Sequence, residues 1–182
     1  MIIFLTEEMS MEVTIKELLK RLVPMLNEGK DFFIQSFNGK SDLEKNITKR
    51  MRAWNYGDPT FVIMRDADGG NCLFIKERLA RFARASGKNF KIRIVCQELE
   101  SWFLGDSEAV QAAFPRAQIS NRTVKYRNPD RLTNASDELS RITGDYSKVG
   151  RATLIARHLH QNWTANHSQS FQVFRKTLVE FM

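Results

Sequence analysis

Cysteine is scarce in this chain of 182 residues: Cys72 and Cys96 are the only two, and they form neither a CxxC pair nor a dense disulfide framework. That spacing excludes a zinc ribbon and a disulfide-stapled secreted fold, and points to a reducing, cytoplasmic compartment. Histidine is nearly as rare. His158 and His160 make an H-x-H pair, but on a helix positions i and i+2 face apart, so no zinc site is expected there. Long apolar runs are missing too, since no segment approaches the roughly 20 residues that span a bilayer. The N-terminal MIIFL carries no basic leader before Glu7, so neither secretion nor a membrane is expected. Phosphate loops of the Walker or G-x-G-x-x-G type do not occur, which assigns any ATPase activity to a partner protein, and no G-x-S-x-G elbow marks a serine hydrolase.

What is present suffices for one globular domain. Hydrophobic residues make up 42% of the chain and include 13 Phe and 3 Trp, enough to fill a core. The net charge is +7, with a sequence pI of about 9.6. Most of that excess falls after Asp106, where Arg116, Arg122, Lys125, Arg127, Arg131, Arg141, Lys148, Arg151 and Arg157 form a basic stretch. Such a stretch either meets phosphates or is a solvated face, and charge alone does not choose between them.

Four short apolar runs read as strands: Ile2–Leu5, Phe32–Phe37, Phe61–Met64 and Ile92–Cys96. Helical patterns lie between them. Ile15, Leu18, Leu19, Leu22, Val23 and Leu26 recur at helical spacing, with Ser10 as candidate N-cap and Gly29 as the stop. A second helix runs from a Ser41 or Asp42 cap to Trp54, and a third from about Leu73 to Ala85, ending at Gly87. Strict alternation of strand and helix predicts an α/β three-layer sandwich with a mainly parallel four-stranded sheet over residues 1–106. Helices around 99–103, 107–114, 130–143, 148–160 and 171–181 continue the chain, so residues 107–182 are expected to pack on that core as a helical extension.

In an open parallel sheet, ligands bind beyond the carboxyl ends of the strands. The first strand delivers Glu7 and Glu8 to that edge, the third delivers Asp66 and Asp68 in MRDADGG, and the fourth leads to Glu98 and Glu100 in CQELESWFLGD. Gathered carboxylates repel unless a cation neutralises them or they point into water. Glu7, Asp66 and Asp68 together suggest Mg²⁺ or Mn²⁺. Any one of these acids taken singly, Glu8 and Glu98 above all, is better explained as a helix-capping or solvated residue, and it is Glu7, Asp66 and Asp68 jointly that favour the metal. Lys148, in YSKVGRA beside Gly150, is a candidate phosphate-holding base where a helix begins; its plain alternative is a solvated lysine.

A glutamate ending the first strand and a D-x-D ending the third, within β-α-β-α-β-α-β order, resemble the Toprim domain of topoisomerases, primases and OLD-type nucleases. FLTEEMSMEV is similar to the glutamate-loop-helix entry of Toprim-like proteins related to OLD and RloB. VIMRDADGGNC, CQELESWFLGD, SKVGRATLIARHL and HSQSFQVFRKTL resemble segments of an uncharacterised bacterial family, a domain of unknown function grouped with the Toprim-like proteins. The resemblance covers nearly the whole chain. It implies Glu7, Asp66, Asp68 and Glu100 as metal ligands for Mg²⁺ or Mn²⁺, and a setting in phage defence beside an ATPase partner. Many Toprim proteins have Gly after the first glutamate; Glu8 stands there in this chain, so Glu7 and Glu8 both remain ligand candidates.

The reading that follows is a Mg²⁺-dependent nuclease, a phosphodiester-cleaving enzyme with Glu7, Asp66, Asp68, Glu100 and Lys148 in its site and a nucleic acid, DNA or RNA, on the basic stretch. A receiver-like signalling domain also gathers acids after strands one and three, and a noncatalytic module binding nucleic acid or protein is the third alternative. Phosphotransfer from a small phosphodonor distinguishes the receiver, and divalent-metal affinity the binding module.

Overall fold

The structure is a computed structural model that describes residues 1–144, 147–160 and 165–181. Its sheet consists of β1 (Ile2–Thr6), β2 (Phe32–Ser36), β3 (Thr60–Asp66) and β4 (Phe90–Val95). All pairings are parallel, in the order β2-β1-β3-β4. β1 is buried along its whole length because alternate side chains enter two different cores. Ile2 and Phe4 join Val62 and Met64 on one face, whereas Ile3 and Leu5 join Phe61 and Ile63 on the other.

Three helices connect the strands: α1 (Met9–Leu22), α2 (Lys40–Ala53) and α3 (Cys72–Arg84). Leu43, Ile47 and Met51 of α2 and Ile75, Leu79 and Ala83 of α3 cover the second face. α1 covers the first with Met11, Ile15, Leu18 and Leu19. Its start and end differ from the sequence expectation. Glu8 occupies the N-cap position, so Ser10 lies within the first turn and its hydroxyl donates to Glu8. The helix stops at Leu22, well before Gly29, because Pro24 disfavours helical backbone at Val23, whose φ and ψ are −139° and 57°. α2 begins before Ser41, and Asp42 reaches back to accept from the Asn38 backbone N–H at 3.0 Å.

The chain then adds α4 (Glu100–Leu104), α5 (Ser107–Ala113), two 3-10 turns at Val124–Tyr126 and Pro129–Arg131, α6 (Ala135–Thr143), α7 (Lys148–Ala156) and α8 (Gln169–Val179). Their apolar residues share the core of the first face with β1 and α1, giving helices, sheet and helices as three layers. Much of ELESWFLGD is explained by this packing. Trp102 is fully buried, stacks on Phe174 at 5.0 Å, meets Phe171 edge-on and donates from Nε1 to Ser170 Oγ at 2.9 Å. Gly105 must be glycine because a Cβ there would stand 2.3 Å from Asn166 Oδ1. Asp106 caps α5 through the Ala109 N–H and also accepts from the His160 N–H at 2.7 Å.

Candidate functional site at the carboxyl edge of the sheet

With strand order β2-β1-β3-β4, connections leave β1 and β3 in opposite directions, so the crevice of the fold lies between their carboxyl ends. Glu7 follows β1 directly and Asp66 is the last residue of β3. The Asp66 N–H donates to Glu7 Oε2 at 3.0 Å, while the Glu7 N–H donates to the Met64 carbonyl at 3.1 Å. Burial raises the Glu7 carboxyl above its ordinary pKa, an effect the Asp66 N–H partly offsets. Arg65 Nε lies 3.9 Å from the same oxygen, and its guanidinium is held by Glu44 at 2.6 Å.

Asp66 is 4% exposed and Glu100, at the start of α4, is 2% exposed. Asp66 Oδ1 and Glu100 Oε2 are buried without a hydrogen-bond partner. Burial raises both carboxyls; for Asp66 the charges of Glu100 and Glu7 add to it and carry the group well above the aspartate range. A buried acceptor left unpaired costs free energy, which makes these two oxygens the chemically tense points of the edge.

Lys148 is the counter-charge. Its Nζ lies 2.6 Å from Glu8 Oε1 and 4.0 Å from Glu100 Oε1. Burial disfavours its charge, but Glu100, Glu8 and Asp66 outweigh that and hold its pKa above the ordinary lysine value. Lys148 faces carboxylates, and the Gly150 N–H is taken by Ser147 Oγ at 3.0 Å. Beside Lys148, a cleft of about 440 Å³ opens between Ser10, Ser36, Asn38 and Gly39.

Asp68 lies outside the buried group, although its charge helps raise the Glu7 carboxyl. It is exposed, at φ 48°, and pairs with Lys40 at 3.0 Å. Glu98 accepts from the Ser136 N–H at 2.8 Å and so serves the first turn of α6. Sequence reasoning passed over Gln97, among the described residues the other non-glycine residue with positive φ, at 63°. Its carbonyl accepts from the Asp68 N–H at 2.9 Å, tying the β3 and β4 exits together, and its own Oε1 is buried without a partner. Nothing local in CQELES marks that conformation.

Among the described residues, no three His, Cys, Asp or Glu side chains stand close enough together to hold a metal ion. The donor types nevertheless fit a hard divalent cation: Asp66 and Glu100 offer unpaired carboxylate oxygens, the atoms that Mg²⁺ and Mn²⁺ take. The basic stretch is partly spent within the fold. Lys125 and Arg141 both pair with Glu138 at 2.7 Å, Arg157 lies 3.7 Å from Glu17, and Arg151 is buried. Arg116, Arg122, Arg127 and Arg131 are exposed. His158 and His160 lie beyond α7, so helical spacing does not govern them. His160 Nδ1 sits 2.9 Å from Asp106, and the wall of a second cleft, about 450 Å³, includes both.

No helix among the described residues is long and apolar enough to cross a membrane. No curated protein and no solved structure matches the chain. The match that does occur is to a domain of unknown function, DUF4276, over residues 6–179, and with nearly its whole length covered the chain belongs to that family.

Proposed function

We propose that this chain is a Toprim-like, Mg²⁺- or Mn²⁺-dependent protein that cleaves phosphodiester bonds in nucleic acid. The observation that carries the reading is the pair of buried, unpaired carboxylate oxygens of Asp66 and Glu100 at the crevice between β1 and β3. A divalent ion, if bound there, would supply Lewis-acid polarisation of the phosphoryl group and lower the pKa of an attacking water. Asp66, Glu100 and Glu7 would hold it, Glu7 also accepting from the Asp66 N–H, and Asp68 would join on leaving Lys40. Lys148 then meets a phosphate oxygen, and Arg116, Arg122, Arg127 and Arg131 hold the flanking backbone. An ATPase partner and a role in phage defence belong to the same reading, through the Toprim-like resemblance.

A noncatalytic role is favoured by one specific observation: Lys148 already balances Glu8 and Glu100. Calorimetry with Mn²⁺, paired with cleavage assays on labelled DNA and RNA, separates the two. The expected result is Mn²⁺ binding and metal-dependent cleavage, with Glu7→Gln reducing cleavage more than Glu8→Gln, since the introduced amide oxygen still accepts from the Asp66 N–H but carries no charge. Absence of Mn²⁺ binding overturns the metal reading, and equal losses in the two variants overturn the role of Glu7.

The nucleic-acid surface has its own test. Neutralising Arg122 and Arg127 to Gln is expected to weaken binding similarly across sequences and to reduce the salt slope by about two, leaving Mn²⁺ affinity unchanged. An unaltered slope would assign those arginines to a solvated face.

A further inference from the structure

The two cysteines, far apart in sequence, meet in the fold. Cys72 opens α3 and Cys96 follows β4 directly, and their sulfurs lie 3.4 Å apart with a sequence separation of 24. Both are free thiols and partly exposed. They share the wall of a cleft of about 220 Å³ with Leu73, Lys76, Ile94 and Ser170, so a small molecule reaches them without unfolding. A disulfide needs sulfurs at about 2.0 Å, a closure of little more than an ångström, and both residues sit at ends of elements, where such a shift is least resisted.

We propose that Cys72 and Cys96 form a thiol–disulfide exchange site whose co-substrate is a low-molecular-weight disulfide of the glutathione type. Cys72 attacks one sulfur of the disulfide, forming a mixed disulfide and expelling one thiol. Cys96 then attacks Cys72 Sγ, the second thiol leaves, and the Cys72–Cys96 bond closes. Two protein thiols and one small disulfide become one protein disulfide and two small thiols, so the two hydrogens lost by the protein are those gained by the co-substrate. Burial, with the neighbouring Cys72 sulfur, pushes the Cys96 thiol up to about 12. Cys72 opens α3, at the positive end of the helix dipole, which assigns first attack to Cys72.

The site depends on neither metal nor nucleic acid. Its consequence for the edge described above rests on the proposed function: Cys72 closes the loop that carries Asp68, and Cys96 precedes Glu98 and Glu100, so the bond pins together the two acid-bearing loops already joined by the Asp68 N–H and the Gln97 carbonyl.

The test equilibrates the full chain with mixtures of reduced and oxidised glutathione and reads intact mass and free thiols after denaturation. The expected product is lighter by about 2 Da, has no free thiol, and melts about 5–10 °C higher than the reduced chain. Cys96→Ser is expected to stop at the glutathione adduct on Cys72. Persistent adducts in the unsubstituted protein, or two free thiols under oxidising mixtures, overturn the proposal. Mn²⁺ calorimetry on both forms isolates the link to the acidic edge: a reduced chain that binds no Mn²⁺ refutes the metal reading while the thiol count still decides the exchange site.

Discussion

Replacing Asp66 by Asn is expected to weaken Mn²⁺ binding at least about 100-fold and, in the same variant, to stabilise the metal-free protein at neutral pH. Both effects come from one arrangement. Asp66 is buried, has an unpaired oxygen, and lies within the fields of Glu100 and Glu7, so its charged form is unfavourable until a cation arrives. Its folded-state pKa is raised above the unfolded value of about 3.9. The folded chain therefore holds that proton more tightly than the unfolded one, and stability present below about pH 4 is lost as pH rises through the folded pKa. Asn has the same shape and no proton to lose. The variant should match the original protein near pH 4.5 and exceed it by pH 8 by on the order of 2 kcal/mol, about 4–8 °C in melting temperature. Melting curves in a chelator from pH 4.5 to 8 check the sign; a difference that stays constant or shrinks with pH contradicts a buried, tense carboxylate. Unchanged Mn²⁺ affinity contradicts the metal role on its own.

The strands were legible because β1 and β3 are buried on both faces and so read as unbroken apolar runs, and their ends placed Glu7 and Asp66 near one edge. The end of α1 was less legible. Its apolar spacing continues to Leu26, and only the backbone restriction imposed by Pro24 breaks it earlier. Strand order is a matter of which way each crossover turns, which no local pattern encodes. Neither does local pattern encode pairs that are distant in sequence. Lys148 meets Glu8 from the far end of the chain, and Lys125 reaches Glu138 on α6, so basic residues that look available in sequence prove to be committed. ELESWFLGD, one of the segments that carry the family resemblance, is mostly structural. Trp102, Gly105 and Asp106 serve packing, close approach and capping, and only Glu100 faces the acids.

Lys148→Met is expected to move three observables in different directions, and the combination separates a counter-ion from a lysine that merely lies nearby. The ammonium sits between Glu8 and Glu100 and acts on Asp66, so its removal leaves buried like charges without balance. Metal-free stability should fall by about 1–2 kcal/mol, less than the loss from a fully buried pair because the lysine side chain is 38% exposed and partly screened by water. Mn²⁺ affinity should rise at least about tenfold, because an incoming divalent cation no longer meets a resident positive charge a few ångströms away. Saturating Mn²⁺ should then restore most of the lost melting temperature, since the metal supplies the missing charge. Phosphodiester cleavage, if Lys148 meets the substrate phosphate, should fall even as the metal binds more tightly. A variant with weaker Mn²⁺ binding would place Lys148 as a support for the ligands, and one with unchanged stability and affinity would return it to the solvated surface.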